Sequence, residues 1–290
     1  MRNVVLGLLV FIMAPTLLAQ KSSQSLLWKI EGKKGKPSYI FGTYHLVGSD
    51  YLKSHTKVEK AYEGSDKVMV EMVADSASLM QLSLLSTMPE KSLKKLVGEK
   101  DYQLLKKQIE PLIGYDLGIF DNLKPNMIAT MYVVTIAQQN TPAEFQYGGI
   151  PIDMYFAQNG EEQGKEVIAL ETVTEQANIL FNSETPEEQA SQLVDLVKDS
   201  TGTRDMAALV LKAYQEEDIQ TMLEATDERG DAYGNMDILL NDRNLKWVDT
   251  LKEVLPDGGV FIAVGALHLP GKKGLIQLLK KEGYILSPVQ

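Results

Sequence analysis

Two of the three histidines in this chain sit in the same frame. Gly42-Thr43-Tyr44-His45-Leu46-Val47-Gly48 and Gly265-Ala266-Leu267-His268-Leu269-Pro270-Gly271 both read G-x-x-H-L-x-G, and each follows a short apolar run. The opening glycine is expected to let the chain turn sharply off a strand, leaving the imidazole in the loop beyond the strand's carboxyl end. In open α/β sheets that edge is where ligands bind. Two carboxylates hold equivalent places, Glu71 after Val68-Met69-Val70 and Glu171 after Ile168-Ala169-Leu170. If these strands are parallel neighbours, His45, Glu71, Glu171 and His268 converge on one crevice. Two histidines and a carboxylate are a common ligand set for Zn²⁺, Mn²⁺ or another first-row divalent ion such as Co²⁺. The remaining acid would orient a histidine or act as general base.

The elements that must position these groups are legible as alternating patterns. Ser38–Gly42, Lys67–Val70, Glu166–Leu170 and Gly259–Gly265 read as buried strands. Helical patterns cover Val58–Tyr62, Ser76–Ser86, Tyr102–Ile109, Asn126–Gln139, Pro186–Lys198, Ala207–Glu224, Asp237–Leu255 and Gly274–Glu282. Strands alternating with helices predict an α/β domain with a mixed, partly parallel central sheet flanked by helices. The stretch 76–157 offers no strand and reads as a helical insertion or cap, within a single domain spanning 20–290. On the Asp237–Leu255 helix the apolar face of Leu240, Trp247, Val248 and Leu251 is interrupted by Asn244, with Arg243 at its edge. An inward Asn needs hydrogen-bond partners, and an Arg beside it can hold a carboxylate.

Other polar residues invite blander readings. Thr172-Val173-Thr174-Glu175 fits a capping box, which accounts for Glu175. Gln176 in the same turn could reach the site, although a solvent-facing role is preferred. Asp153, after Gly148-Gly149-Ile150-Pro151, suits the first turn of a helix. His55, between Lys53 and Lys57, reads as a surface residue. Tyr44 could donate a hydrogen bond to an oxyanion. No H-E-x-x-H helix and no G-x-S-x-G elbow is present.

Composition narrows the field further. The chain has 290 residues with 29 Lys and Arg against 39 Asp and Glu, a formal charge of -10, which disfavours nucleic-acid partners. The absence of cysteine removes disulfides, thiolate metal sites and Cys nucleophiles. Residues 1–19 have Arg2, an apolar run from Val4 to about Ala14 and small Ala19, the layout of a secretory signal peptide. The remainder has no span-length apolar segment, so the expectation is a secreted or periplasmic protein with no membrane span after cleavage.

Together these landmarks resemble the TraB/GumN family, the pheromone-shutdown and TIKI-like proteins with paired GxxH motifs. They are Gly42–His45 (GTYH), Val70–Met72 (VEM), Pro151–Phe156 (PIDMYF), Ala169–Gln176 (ALETVTEQ), Asp242–Asn244 (DRN) and Gly265–His268 (GALH). The resemblance covers about Ser25 to Pro288 and implies a ChaN-like or erythromycin-esterase-like α/β architecture. It implies His45, Glu71 and His268 as metal ligands or catalytic groups, with Glu171, Arg243 and Asn244 in support. The leading expectation is an exported metal-dependent hydrolase acting on peptide or protein substrates. There a divalent ion is held by His45, Glu71 and His268, Glu171 moves protons and Arg243 positions a carboxylate. The alternatives are a metal-independent esterase-like hydrolase with His45 as general base, or a non-catalytic protein that binds a peptide or haem.

Overall fold

The computed structural model describes residues 24–32, 35–73, 75–227 and 235–290, so the expected signal segment lies outside the described residues. In chain order the elements are β1 (Leu27–Glu31), β2 (Ser38–Thr43), α1 (Thr56–Glu63), β3 (Lys67–Val70), α2 (Ser76–Leu85), α3 (Leu93–Ile113) and α4 (Pro125–Asn140). They continue with α5 (Ile152–Glu162), β4 (Glu166–Ala169), α6 (Val173–Asn182), α7 (Pro186–Lys198), α8 (Ser200–Gln215) and α9 (Ile219–Asp227). A π-helical turn (Asp237–Asn241), α10 (Asp242–Val254), β5 (Val260–Gly265), α11 (Leu275–Lys281) and β6 (Ile285–Pro288) complete them.

The six strands form one sheet in the order β4-β3-β5-β2-β1-β6. β4, β3, β5 and β2 are mutually parallel, while β1 is antiparallel to both β2 and β6. The fold is therefore α/β with a mixed, partly parallel sheet, as the alternation of patterns predicts. The four strands read from sequence are the parallel ones: β2, β3 and β5 are buried on both faces and so form continuous apolar runs, whereas β4, at the sheet's end, is half-exposed and marked by its Val167-Ile168 pair. β1 and β6 escape that reading. β1 interrupts its apolar residues with half-buried Lys29, and β6 is four residues long with an exposed Ile285 and a terminal proline.

Two helices differ from their expected extents. The run expected as Tyr102–Ile109 is the middle of α3, whose start is broken at Gly98 (φ 76°). The run expected as one helix over Ala207–Glu224 is two, split at Glu217, which takes a left-handed φ of 56°. The break lets the Glu217 carboxylate accept hydrogen bonds from Leu26 N, Ser25 Oγ and Lys57 Nζ, which anchors the start of β1.

Apolar burial falls into two clusters. One surrounds the sheet, with Phe41, Phe156 and Phe261 in mutual contact on one face and Trp247, Leu251, Leu275 and Leu279 among its helical members. The other fills a helical lid built from α3, α4, α7 and the start of α8, around Leu105, Ile109, Ile128, Tyr132, Leu193 and Ala207. α5, within the stretch expected as a cap, packs on the sheet through Ile152 and Phe156.

Candidate active site

The site is assembled at the carboxyl ends of the four parallel strands, where backbone amides and carbonyls of the ladder run out. β3 pairs with β4 from Lys67 to Val70, and the ladder continues with Leu170 N to Val70 O and Glu171 N to Glu71 O. Glu71 and Glu171 therefore stand side by side. β5 lies against β3 on its other edge and ends at Gly265, whose N–H donates to Glu71 Oε1 at 2.7 Å. Beyond it a 3₁₀ turn, Ala266–His268, carries His268 inward to 3% exposure. β2 lies next to β5, with Thr43 opposite Gly265, and delivers Tyr44 and His45.

Gly42 is inside β2, with no positive φ, so the expected sharp turn is not its role. A Cβ there would lie 2.9 Å from the Ala266 Cα and 2.9 Å from Leu269 Cδ1. The glycine serves close packing of one histidine turn against the strand that bears the other.

Arg243 occupies the centre of the buried half. Its Nη2 donates to Glu71 Oε2 and to Glu171 Oε1, its Nε to Glu171 Oε2 at 3.1 Å, and its Nη1 to the Leu239 carbonyl at 3.0 Å and to His268 Nε2 at 3.2 Å. The guanidinium also lies 4.6 Å from the Trp247 ring, which in turn packs 4.4 Å from His268. The π-helical turn before α10 supplies the Leu239 carbonyl, a local irregularity of the kind common at functional sites.

Asn244 fixes the state of His268. Its Nδ2 donates to the carbonyls of His268 (3.2 Å) and Lys273 (3.0 Å), so the opposite end of the amide must be the oxygen. That Oδ1 sits 2.7 Å from His268 Nδ1 and accepts its proton-bearing edge. Nε2 is then left with a lone pair, matched to the Arg243 N–H. Burial pushes the His268 pKa down to about 4 despite the opposing pull of Glu71, so the ring is neutral. Burial also works against ionisation of Glu71, but His268, Arg243, His45 and the Gly265 amide outweigh it and hold the carboxyl down at about 2. Glu171 is raised by burial, partly offset by Arg243. Gln176, half-buried on α6, lies near enough to Glu171 to oppose that rise in part.

His45 is the exposed half. Its Nδ1 donates to Asp153 Oδ2 at 2.8 Å, and 74% of its side chain meets solvent. The Asp153 carboxylate raises its pKa to about 9. Electrostatic coupling reaches from this ring to Glu71 and His268. Asp153 stands in the first turn of α5, as its sequence position suggests, yet its partner is an imidazole rather than the helix dipole alone. A backbone contact at the glycines before it brings the two together. Gly48 N bonds Tyr147 O, Ser49 N bonds Ile150 O and Ile152 N bonds Val47 O, tying the start of α5 to the loop after His45. A Cβ at Gly48 would lie 2.1 Å from the Gly148 carbonyl oxygen.

The other candidates fall outside this cluster. Tyr44 turns its ring toward Tyr214, 5.2 Å away, and burial raises its pKa to about 12. His55 stacks on Tyr51 at 3.5 Å and bonds its carbonyl, half-buried rather than free on the surface. Glu175 completes the expected capping box with Thr172 and pairs with Lys246. Between α4, α6 and α7 lies a half-open, mainly apolar pocket of about 210 Å³ lined by Val133, Leu180, Leu193 and Leu196, with Asn126 and Gln192, and bordered by Leu239, whose carbonyl bonds Arg243.

The arrangement bears directly on the divalent ion that the resemblance implies. His268 Nε2 and one oxygen of each glutamate all face the same guanidinium, and the carboxylate beside His45 favours its protonated, non-ligating form. Among the described residues no three His, Asp or Glu side chains are disposed around a common point that could hold a metal ion. As arranged, the residues do not fit a divalent ion.

Residues 26–288 match the model of the TraB/PrgY/gumN family. The chain is similar to Metalloprotease TIKI2 of Danio rerio, 23% identical over 323 residues that cover 92% of this chain and 61% of the relative. Metalloprotease TIKI1 of Homo sapiens is 24% identical over 91% of this chain and 62% of its own length. The Uncharacterized protein YbaP of Escherichia coli (strain K12) is 28% identical over 82% of this chain and 88% of its own length. This chain thus spans about three-fifths of the length of the TIKI relatives. That match spans nearly the whole of the described chain, and the chain belongs to the TraB/PrgY/gumN family.

Proposed function

We propose that this protein is an exported hydrolase of peptide bonds, with His45 and Asp153 handling protons at the reacting group. The observation that carries the proposal is the oriented His45–Asp153 pair at the rim of a buried Glu71–Arg243–Glu171–His268 cluster, all at one sheet edge. At neutral pH the His45 imidazolium is placed to give its proton to a leaving amine, and Asp153 holds the ring in the required orientation. Glu71, the more exposed of the two glutamates at 16% against 1%, is the carboxylate that would take the proton of an attacking water. Glu171 is clamped by Arg243 and serves to fix the guanidinium rather than to move protons. The mainly apolar pocket beside Leu239 has room for an apolar side chain of a peptide. The metalloprotease names of the TIKI relatives support a peptide or protein as substrate, and residues 1–19 support export.

Those names also favour a second reading, in which Zn²⁺, Mn²⁺ or Co²⁺ joins His45, Glu71 and His268. Hydrolysis of a fluorogenic peptide library by the purified mature chain separates the two. The expected result is turnover that survives chelators and drops about 10²-fold or more in His45→Ala and Asp153→Asn. Turnover abolished by chelation and restored by one of those ions hands the chemistry to the second reading. No turnover under any condition removes both.

A further inference from the structure

We infer that Arg243 is the built-in cation of this site, held among Glu71, Glu171 and His268 and taking the part there of the divalent ion that the resemblance implies. The guanidinium meets four ligand-type atoms of the cluster, namely His268 Nε2 at 3.2 Å, Glu171 Oε2 at 3.1 Å, and one further oxygen each of Glu171 and Glu71, while the Gly265 amide takes the remaining Glu71 oxygen. It is not a loose surface side chain that an ion could push aside. The Leu239 carbonyl holds Nη1 and the Trp247 ring covers the guanidinium plane. A second cation within a few ångströms would be repelled with little solvent between the charges.

The cluster nevertheless keeps the donor types of a metal site once that side chain is gone, and the two carboxylates are then drawn together to share an ion. Asn244 forces the His268 lone pair to face inward. Two carboxylates and a neutral imidazole leave a charge of minus two, which a divalent ion neutralises more completely than one guanidinium does. Removal of Arg243 therefore uncovers a latent site of the type that takes Zn²⁺, Mn²⁺ or Co²⁺. This inference stands apart from the proposed hydrolysis, because binding is read without turnover.

The test is titration of Co²⁺ into metal-free wild type, His268→Ala, Arg243→Ala and the Arg243→Ala/His268→Ala double variant, followed by calorimetry and visible absorption. Wild type is expected to bind no equivalent that His268→Ala removes. Arg243→Ala is expected to bind one Co²⁺ per chain at least about tenfold more tightly than wild type, and the double variant to lose that site. A rise in the melting temperature of Arg243→Ala on metal addition, absent in wild type, is the accompanying signature. One equivalent in wild type that vanishes in His268→Ala overturns the inference, as does an Arg243→Ala protein that folds but binds nothing. If Arg243→Ala does not fold with or without Co²⁺, the comparison of wild type with His268→Ala decides, and wild-type binding that does not depend on His268 supports it.

Discussion

The titrating side chains of the site respond to pH in opposite directions. Glu71 is held at about 2 against an ordinary 4.5, and His268 at about 4 against 6.5. Both folded values lie below the unfolded ones, so both contributions are complete above the unfolded value and are lost as pH falls. The loss runs from 6.5 through 4 for His268 and from 4.5 through 2 for Glu71. Glu171, raised by burial, acts with the opposite sign and offsets part of the acid loss. His45, raised to about 9, contributes below 6.5 and loses its contribution as pH rises through 9, weakly because the ring is well solvated. Urea unfolding at a series of pH values should place the highest midpoint near neutrality. His268→Asn should flatten the profile between 6.5 and 4, and an unchanged slope there would mean that this ring is not buried neutral.

At the scale of elements, the site depends on how tightly α5 is tied to the loop after β2. The two segments approach as bare backbone at Gly48 and Gly148, and a methyl group on Gly48 has no room. Gly48→Ala is expected to destabilise by about 1–3 kcal/mol, as overpacking does, and to loosen His45 from Asp153. The second effect is checked by NMR titration of His45, whose pKa should fall from about 9 toward its ordinary 6.5. An unshifted His45 would show that α5 is positioned by its apolar contacts alone. The pairing of Asp153 with His45 was not legible in the sequence, because the two are joined only through that loop contact. The convergence of Glu71, Glu171 and His268 was more accessible, because each ends an apolar run and parallel pairing places strand ends in one row.

For the whole molecule, apolar burial is divided between the cluster around the sheet and the cluster in the lid. The lid core draws on helices far apart in sequence, with α7 packed between α3 and α4, so its stability is tied to residues on both sides of β4. Leu105→Ala, at a fully buried lid position, is expected to cost about 2–5 kcal/mol by leaving a cavity. Denaturant unfolding monitored by near-ultraviolet dichroism measures the loss. A cost below about 1 kcal/mol would indicate that the lid relaxes around the vacancy.

The sequence alone determined the alternation of elements, the four parallel strands, the two histidine turns and the acidic surface, because each is written in local periodicity, motif or composition. Tertiary structure alone decided three things. It added β1 and β6 at one side of the sheet, which the local pattern underdetermines, and it chose Asp153 as the partner of His45. It also placed Arg243 among the carboxylates, burying a charge that its position at the edge of an apolar helix face left free to reach solvent. The physical reason is the same for each. A residue's type and spacing fix which face it presents, but the partner it meets there is set by the packing of segments remote in the chain.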